Sequence, residues 1–244
     1  DIPRTVPDAL IEGYEWDVDG RDYETIEDVI AYSTRVAATV GVMMTLIMGR
    51  REPHVLARAA DLGVAMQLTN IARDVGEDAR NGRIYLPRQW LRDEGVDPDG
   101  LLTNPAFSPA LGRVVRRFLK EADVLYYRGF SGLGDLPASC QPAICAAGLI
   151  YRDIGKVIAR QGFDSVSRRA FTGKGRKVTW CAKAMFLPTW LYIADRRPAL
   201  DETAFLVNAA SETREPATRI GRALDGRMVQ LVRLLETMEK RDRY

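Results

Sequence analysis

The sequence predicts an all-α protein: one helical domain over residues 1–244, built as a bundle around a central cavity. Three observations carry this. No segment sustains the period-two alternation of a half-buried strand. Apolar residues instead recur at spacings of three and four through long segments bounded by Gly, Pro and capping residues. A hydrophobic content of 46% over 244 residues is also enough for one sizeable core. No internal repeat or low-complexity tract interrupts the pattern.

Residues 1–16, punctuated by Pro3 and Pro7, read as a short helix and loop anchored by Leu10 and Ile11. Asp17 to Tyr23 is polar and contains Gly20, a turn. Thr25 is placed to cap a helix running to about Met48, with Asp28 as a partial capping box. On that helix Tyr32, Val36, Thr39 and Met43 share one face, and Ala37, Ala38 and Gly41 form a small-residue edge suited to close packing. A second long helix is expected from His54 to about Asn81, stopped by Gly82. Pro87 opens a short helix over Arg88 to Glu94, and Gly95 to Pro109 reads as a long loop. Leu111–Phe130 is amphipathic, with Arg113, Arg116, Arg117 and Lys120 outward. After a Gly/Pro corner, a helix is expected from Ala143 to about Gly162. The basic segment Ser165–Lys177 reads as a cover over diphosphate, a contact for an anionic membrane, or a solvated connector. Apolar Val178–Ala194 and helices over Thr203–Ser211 and Glu215–Lys240 complete the chain.

Composition excludes several functions. A net charge of +2 with 28% charged residues does not demand a nucleic-acid partner. Three cysteines (Cys140, Cys145 and Cys181) lack a disulfide framework or zinc spacing and fit a reducing compartment. One histidine, His54, rules out a multi-His metal centre and reads as a loop residue following Arg50-Arg51-Glu52-Pro53. No uninterrupted apolar run reaches the ~18 residues of a membrane span, and Met185–Ala194 falls short.

The chemistry concentrates in Leu62–Pro87, LGVAMQLTNIARDVGEDARNGRIYLP. Gln67, Asn70, Asp74 and Asp78 fall within an arc of about 80° on a helix, with Gly63 in the same arc. Apolar residues surround this acidic and amide stripe. Carboxylates on a buried helix must be paired or bound to metal, because unpaired buried charge is too costly. Oxygen ligands one turn apart suit Mg²⁺, which takes one or two protein carboxylates and completes its shell with water and phosphate. Arg73 and Arg83 offer planar cations for phosphate oxygens. The alternative is a solvated face carrying these residues by chance.

The pattern Leu62-Gly63, Gln67, Asn70-Ile71, Arg73-Asp74, Asp78, Arg83, Tyr85, Pro87 resembles the second signature of the squalene and phytoene synthase family. The stretch Tyr32–Gly41, continuing to Met44 and Ile47, is similar to its first signature. NIARD followed by RIYLP looks most like bacterial phytoene synthases. The resemblance extends more weakly from about Ile2 to Ala184.

That resemblance implies the isoprenoid-synthase fold and a Mg²⁺-dependent (or Mn²⁺-dependent) prenyltransferase of carotenoid biosynthesis. Its expected reaction joins two geranylgeranyl diphosphates head to head into phytoene, through a cyclopropylcarbinyl diphosphate. Carried over by position, Asn70, Asp74 and Asp78 match metal ligands, and Gln67, Arg73 and Arg83 match substrate or diphosphate contacts. Tyr32 and Val36 match positions at the reacting centre; Tyr32, with Asp74 and Asp78, is expected to be catalytic. Tyr151 matches a downstream tyrosine of the site or is a core aromatic. The family's other acidic motif has no counterpart, since Asp17, Asp19 and Asp22 sit among the wrong neighbours; the expectation is that the chain lacks the N-terminal part carrying it, and with it activity. Farnesyl diphosphate as substrate and a non-catalytic assembly relative are the alternatives. A greasy substrate implies a cytoplasmic protein in peripheral contact with the inner face of the membrane.

Overall fold

The computed structural model describes residues 1–186 and 195–212. Contacts divide the chain into two units, Asp1–Ser211 and Glu212–Tyr244, and the described helices lie in the first. No strand occurs among the described residues. α1 spans Thr5–Val18 and α2 Ile26–Ser33; a π turn, Thr34–Ala38, joins α2 to α3, Thr39–Ile47. The remaining helices are α4 (Pro53–Arg80), α5 (Arg88–Asp93), α6 (Pro98–Thr103), α7 (Pro109–Ser131), α8 (Gln141–Arg160), α9 (Lys174–Phe186) and α10 (Asp201–Ser211).

α4 is the axis of the bundle and packs against α3, α7, α8 and α10. Pro53 begins it at a position where a missing N–H costs nothing. Gly82, at φ 76°, ends it. There Gly82 N–H donates to Ala79 O at 3.0 Å and Arg83 N–H to Asp78 O at 2.8 Å, a Schellman arrangement that fixes Arg83 beside the last turn. Val64, Leu68 and Ile71 are buried on α4, and each stabilises the fold by about 1.5–3 kcal/mol. Glycines set the spacing. A Cβ at Gly63 would lie 2.8 Å from Ala37 O and Ala38 Cα, and one at Gly41 would lie 2.6 Å from Ala59 O. Gly41 therefore serves close packing, as its small-residue edge predicts.

A buried charge cluster ties α4 to α7. Asp61, fully buried, lies 2.8 Å from Arg58 Nε and accepts from Arg128 Nε at 3.0 Å. Arg58 and Arg128 also donate to the backbone oxygens of Asp195 and Pro198. The arginines thus hold Oδ2 of the carboxylate and the segment entering α10, while Asp61 Oδ1 is buried without a hydrogen-bond partner among the described residues.

Several sequence expectations need correction. The expected Thr25–Met48 helix is interrupted by the π turn, which breaks its register. Tyr32 and Val36, stacked on one face of a straight helix, therefore diverge. Asp17 lies inside α1, not in a turn. α6 occupies part of the expected 95–109 loop, because Asp97 caps it through Asp99 and Gly100 N–H groups. His54 sits in the first turn of α4, with Nε2 3.6 Å from Asp135. The capping box at Thr25 and Asp28 is complete rather than partial. The helix Ile26–Ile47 is long and apolar enough to cross a membrane on average composition, although Arg35 interrupts the run; it packs on α4 in the bundle. The expected 215–240 helix and residues 187–194 lie outside the described residues.

Candidate active site

A cavity of about 360 Å³ runs along α4 from Val55 to Asn70. Fifteen helical residues separate these ends, about 22 Å at 1.5 Å per residue. Its walls are mostly apolar: Val36 in the π turn, Met44 on α3, Leu62 and Met66 on α4, and Ile144 on α8. Gln67, Asn70 and Tyr151 are among its polar lining groups. Asn70 Nδ2 donates to Gln67 Oε1 at 3.3 Å, while Asn70 Oδ1 is buried without a hydrogen-bond partner. An orphaned amide oxygen in such a place is an open ligand position.

The stripe continues past the cavity into two carboxylates. Asp74, with 15% of its side chain exposed, is gripped by cations. Arg73 donates from Nε to Oδ1 at 2.9 Å and from Nη2 to Oδ2 at 2.5 Å. Arg169, on the segment before α9, donates from Nε to the same Oδ1 at 2.9 Å, and its Nη1 lies 3.2 Å from Glu77. Burial first, then the charges of Asp74 and Glu77, push the Asp78 carboxyl up to about 7. Asp78 is thus a carboxylate lacking the positive charge its surroundings call for.

A second cluster flanks this helix end. Tyr85 stacks on Tyr23 and Tyr32, which are tilted 45° to each other, with centroid separations of 5.1–5.8 Å. Tyr32 donates its hydroxyl to Asp17 Oδ2 at 2.9 Å and Tyr85 to Asp17 Oδ1 at 2.8 Å. Arg83 Nη1 donates to the Tyr85 hydroxyl at 3.1 Å and stands 3.7 Å from Asp17. Burial, with Asp17 and Tyr85 adding, holds the Tyr32 phenol well above its ordinary range, so it stays a donor.

Of the expected residues, Val36, Gln67, Asn70 and Tyr151 line the cavity. Asp74, Asp78 and Arg73 follow on the next turns of α4. Tyr32 does not line the cavity, and Arg83 turns toward Asp17 and Tyr85. Sequence reasoning sets Asp17 aside and reaches Arg169 only as one cation of the basic segment 165–177, without its contact to Asp74. Both reach their partners over long sequence separations, so no local spacing marks them.

The squalene/phytoene synthase model matches residues 1–178. The chain belongs to the squalene/phytoene synthase family. It is 46% identical to a phytoene synthase of Cereibacter sphaeroides over 248 aligned positions, covering 100% of this chain and 68% of that one. A phytoene synthase of Rhodobacter capsulatus is 47% identical over 216, covering 86% and 64%. A solved dehydrosqualene synthase in complex with ligand superposes with a TM-score of 0.67 at 30% identity, covering 75% of this chain and 65% of that one. The chain thus spans about two thirds of the length of these relatives.

The family match takes in every residue of the stripe and of the tyrosine cluster. Among the described residues no three His, Cys, Asp or Glu side chains converge as a self-sufficient metal site. Mg²⁺ does not require one. Two carboxylates, Asp74 and Asp78, and the orphaned Asn70 oxygen fit a hard cation that takes its other ligands from water and phosphate.

Proposed function

We propose that the protein is a Mg²⁺-dependent prenyltransferase joining two geranylgeranyl diphosphates into phytoene, with release of diphosphate, in carotenoid biosynthesis. One observation carries the reading: a long apolar cavity whose polar end continues, on the same helix, into a carboxylate stripe. The phytoene synthases at 46% and 47% identity favour the C20 substrate.

Asn70, Asp74 and Asp78 would hold the cation. Bound there, Mg²⁺ or Mn²⁺ would neutralise the leaving diphosphate. Arg73 and Arg169, which grip Asp74 in this structure, are placed to transfer hydrogen bonds to phosphate oxygens once that carboxylate has a metal partner. Ionisation breaks the allylic C–O bond, and the electron pair leaves with diphosphate. The second molecule's double bond captures the cation, and loss of a proton closes the cyclopropane. A second ionisation and rearrangement, ended by loss of another proton, give phytoene. Val36, Met44, Leu62 and Met66 would keep water from the cations. Gln67 and Tyr151 would orient the chain within the cavity. Tyr32, locked to Asp17, would present a fixed dipole and aromatic face near the reacting end.

The dehydrosqualene synthase likeness supports a second reading, the same chemistry on farnesyl diphosphate. Supplying each diphosphate with Mg²⁺ to a protein spanning the full length of these relatives, and weighing the product, separates the two: a C40 hydrocarbon supports the first, a C30 product the second. In a protein spanning the full length of these relatives, Asp74→Asn and Asp78→Asn should each lower turnover at least a hundredfold. Unchanged turnover in both removes the metal role; no turnover of either diphosphate by the parent favours a non-catalytic relative. An apolar product also fits peripheral contact with the cytoplasmic face of a membrane, to be read by vesicle co-sedimentation.

A further inference from the structure

A second cavity, about 210 Å³, opens between α7 and α8 and shares no lining residue with the reaction cavity. Four cations rim it: Arg116 and Lys120, one turn apart on α7, and Arg152 and Lys156, one turn apart on α8. Its one acid is Asp123, which accepts from Arg152 Nε at 2.8 Å. Arg116, Lys120 and Lys156 have no acidic partner among the described residues. The Lys156 ammonium rests 5.5 Å from the Trp180 ring, and the Arg116 guanidinium 6.0 Å from that of Phe163. α8 offers no further neutralising group. Its single acid, Asp153, is fully buried and held by Arg176 and Thr172. The floor is a closed hydroxyl pair, Thr69 and Tyr126, 3.0 Å apart and both about 1% exposed.

Like charges one turn apart repel, and this groove sets two such pairs against each other. Three uncompensated cations around one concavity, in a chain whose net charge is only +2, make a strong local anion potential. The walls between them are apolar: Leu119, Ala122, Ala159 and Phe163. Gly155 keeps the middle of the groove open, since a Cβ there would lie 3.3 Å from Leu119. Cations around an apolar throat match a phosphate group carried on a short organic stem.

We propose that the α7–α8 groove binds a phosphate group, carried by an anionic phospholipid or by a soluble phosphate ester, at a place separate from the reaction cavity. The proposal does not rest on the reaction assigned above. Amide chemical shifts of the full chain in EDTA buffer are followed with inorganic phosphate and pyrophosphate, and separately with vesicles of phosphatidylglycerol or phosphatidylcholine. Saturable shifts at Leu119, Gly155 and Ala159 with the soluble anions assign a soluble ligand. Binding to phosphatidylglycerol but not phosphatidylcholine vesicles, with broadening at the same amides, assigns a lipid headgroup. In either case Lys120→Ala/Lys156→Ala should weaken binding at least tenfold while leaving shifts at Asn70 and Asp74 unchanged. Both lysines are exposed, so the fold should tolerate the change. Silent groove amides with every probe, or affinity unaltered in the double variant, overturn the proposal.

Discussion

Tyr32 on α2 donates its hydroxyl to Asp17 Oδ2 on α1 at 2.9 Å, although the two residues are 15 apart in the chain. The other oxygen of Asp17 accepts from Tyr85 at 2.8 Å. One carboxylate therefore fixes two phenols, and hydrogen bonds to a charged group are worth about 1.5–3 kcal/mol each. Asp17→Asn keeps an acceptor for one phenol and leaves the other to a donor amide. Stability should fall by about 2 kcal/mol in a denaturant titration. In a protein spanning the full length of the relatives, the kcat for hydrocarbon formation should drop at least tenfold while KM moves little, because the cavity wall stays in place. A variant that melts and turns over like the parent would show that Asp17 orients nothing of consequence.

Asp78 supplies a pH prediction for the metal-free protein. Its carboxyl, ordinarily at 3.8, stands at about 7 in the folded chain, chiefly through burial and secondarily through Asp74 and Glu77. A folded value above the unfolded one means the group favours folding while protonated. That contribution is whole below about pH 4 and is lost as pH rises through 7. In EDTA, Asp78→Asn should therefore raise the melting temperature at pH 8 and leave it nearly unchanged at pH 4. Added Mg²⁺ should stabilise the parent at pH 8 more than it does the variant. Equal melting curves for the two proteins at pH 8 in EDTA would contradict the buried, charge-crowded setting of this carboxylate.

The parts of this site legible in the sequence are those written at helical spacing. Gln67, Asn70, Asp74 and Asp78 share a face because α4 is regular, and Gly82 marks where it stops. The features that spacing does not reveal depend on irregularity or on distance. The π turn at Thr34–Ala38 has no pattern of its own, yet it sends Val36 to the cavity while Tyr32 meets Asp17. Arg169 meets Asp74 across 95 residues, a pairing that only the folded path of the chain decides. Asp17 stands at the edge of a polar, glycine-containing stretch that reads as a turn; as part of α1 it faces the tyrosines.

Helix approach can be tested at Gly63. A methyl group there would press on the backbone of Ala37 and Ala38 at 2.8 Å, and backbone cannot rotate away as a side chain can. Gly63→Ala should cost about 1–3 kcal/mol through overpacking. It should also shift the π turn and lower turnover, since Val36 is carried on that turn. Gly175, in the first turns of α9 with nothing within 4 Å, is the control. Gly175→Ala should be neutral or stabilise by up to about 1 kcal/mol. Matching effects at the two positions would mean that the π turn and α4 are not in close contact at Gly63.

The charge cluster at Asp61 gives the sharpest stability contrast. Asp61 is fully buried between Arg58, 2% exposed, and Arg128, so Asp61→Asn strands Arg128 where water hardly reaches and leaves Arg58 only the carboxylate of Asp195, 3.2 Å from its Nη1. Breaking a buried pair from one side costs about 3–5 kcal/mol. Arg113 and Glu94 form a shorter pair, 2.6 Å, but with 57% and 36% of their side chains exposed. Glu94→Gln should therefore change stability by less than about 1 kcal/mol. At roughly 2–4 °C per kcal/mol for a domain of this size, the first variant should melt at least about 6 °C lower and the second within about 4 °C of the parent. High salt should erase most of the small effect and little of the large one, because screening does not penetrate the α4–α7 contact. Equal losses would mean that solvent reaches Asp61, and that the cluster does not join the two helices as a buried unit.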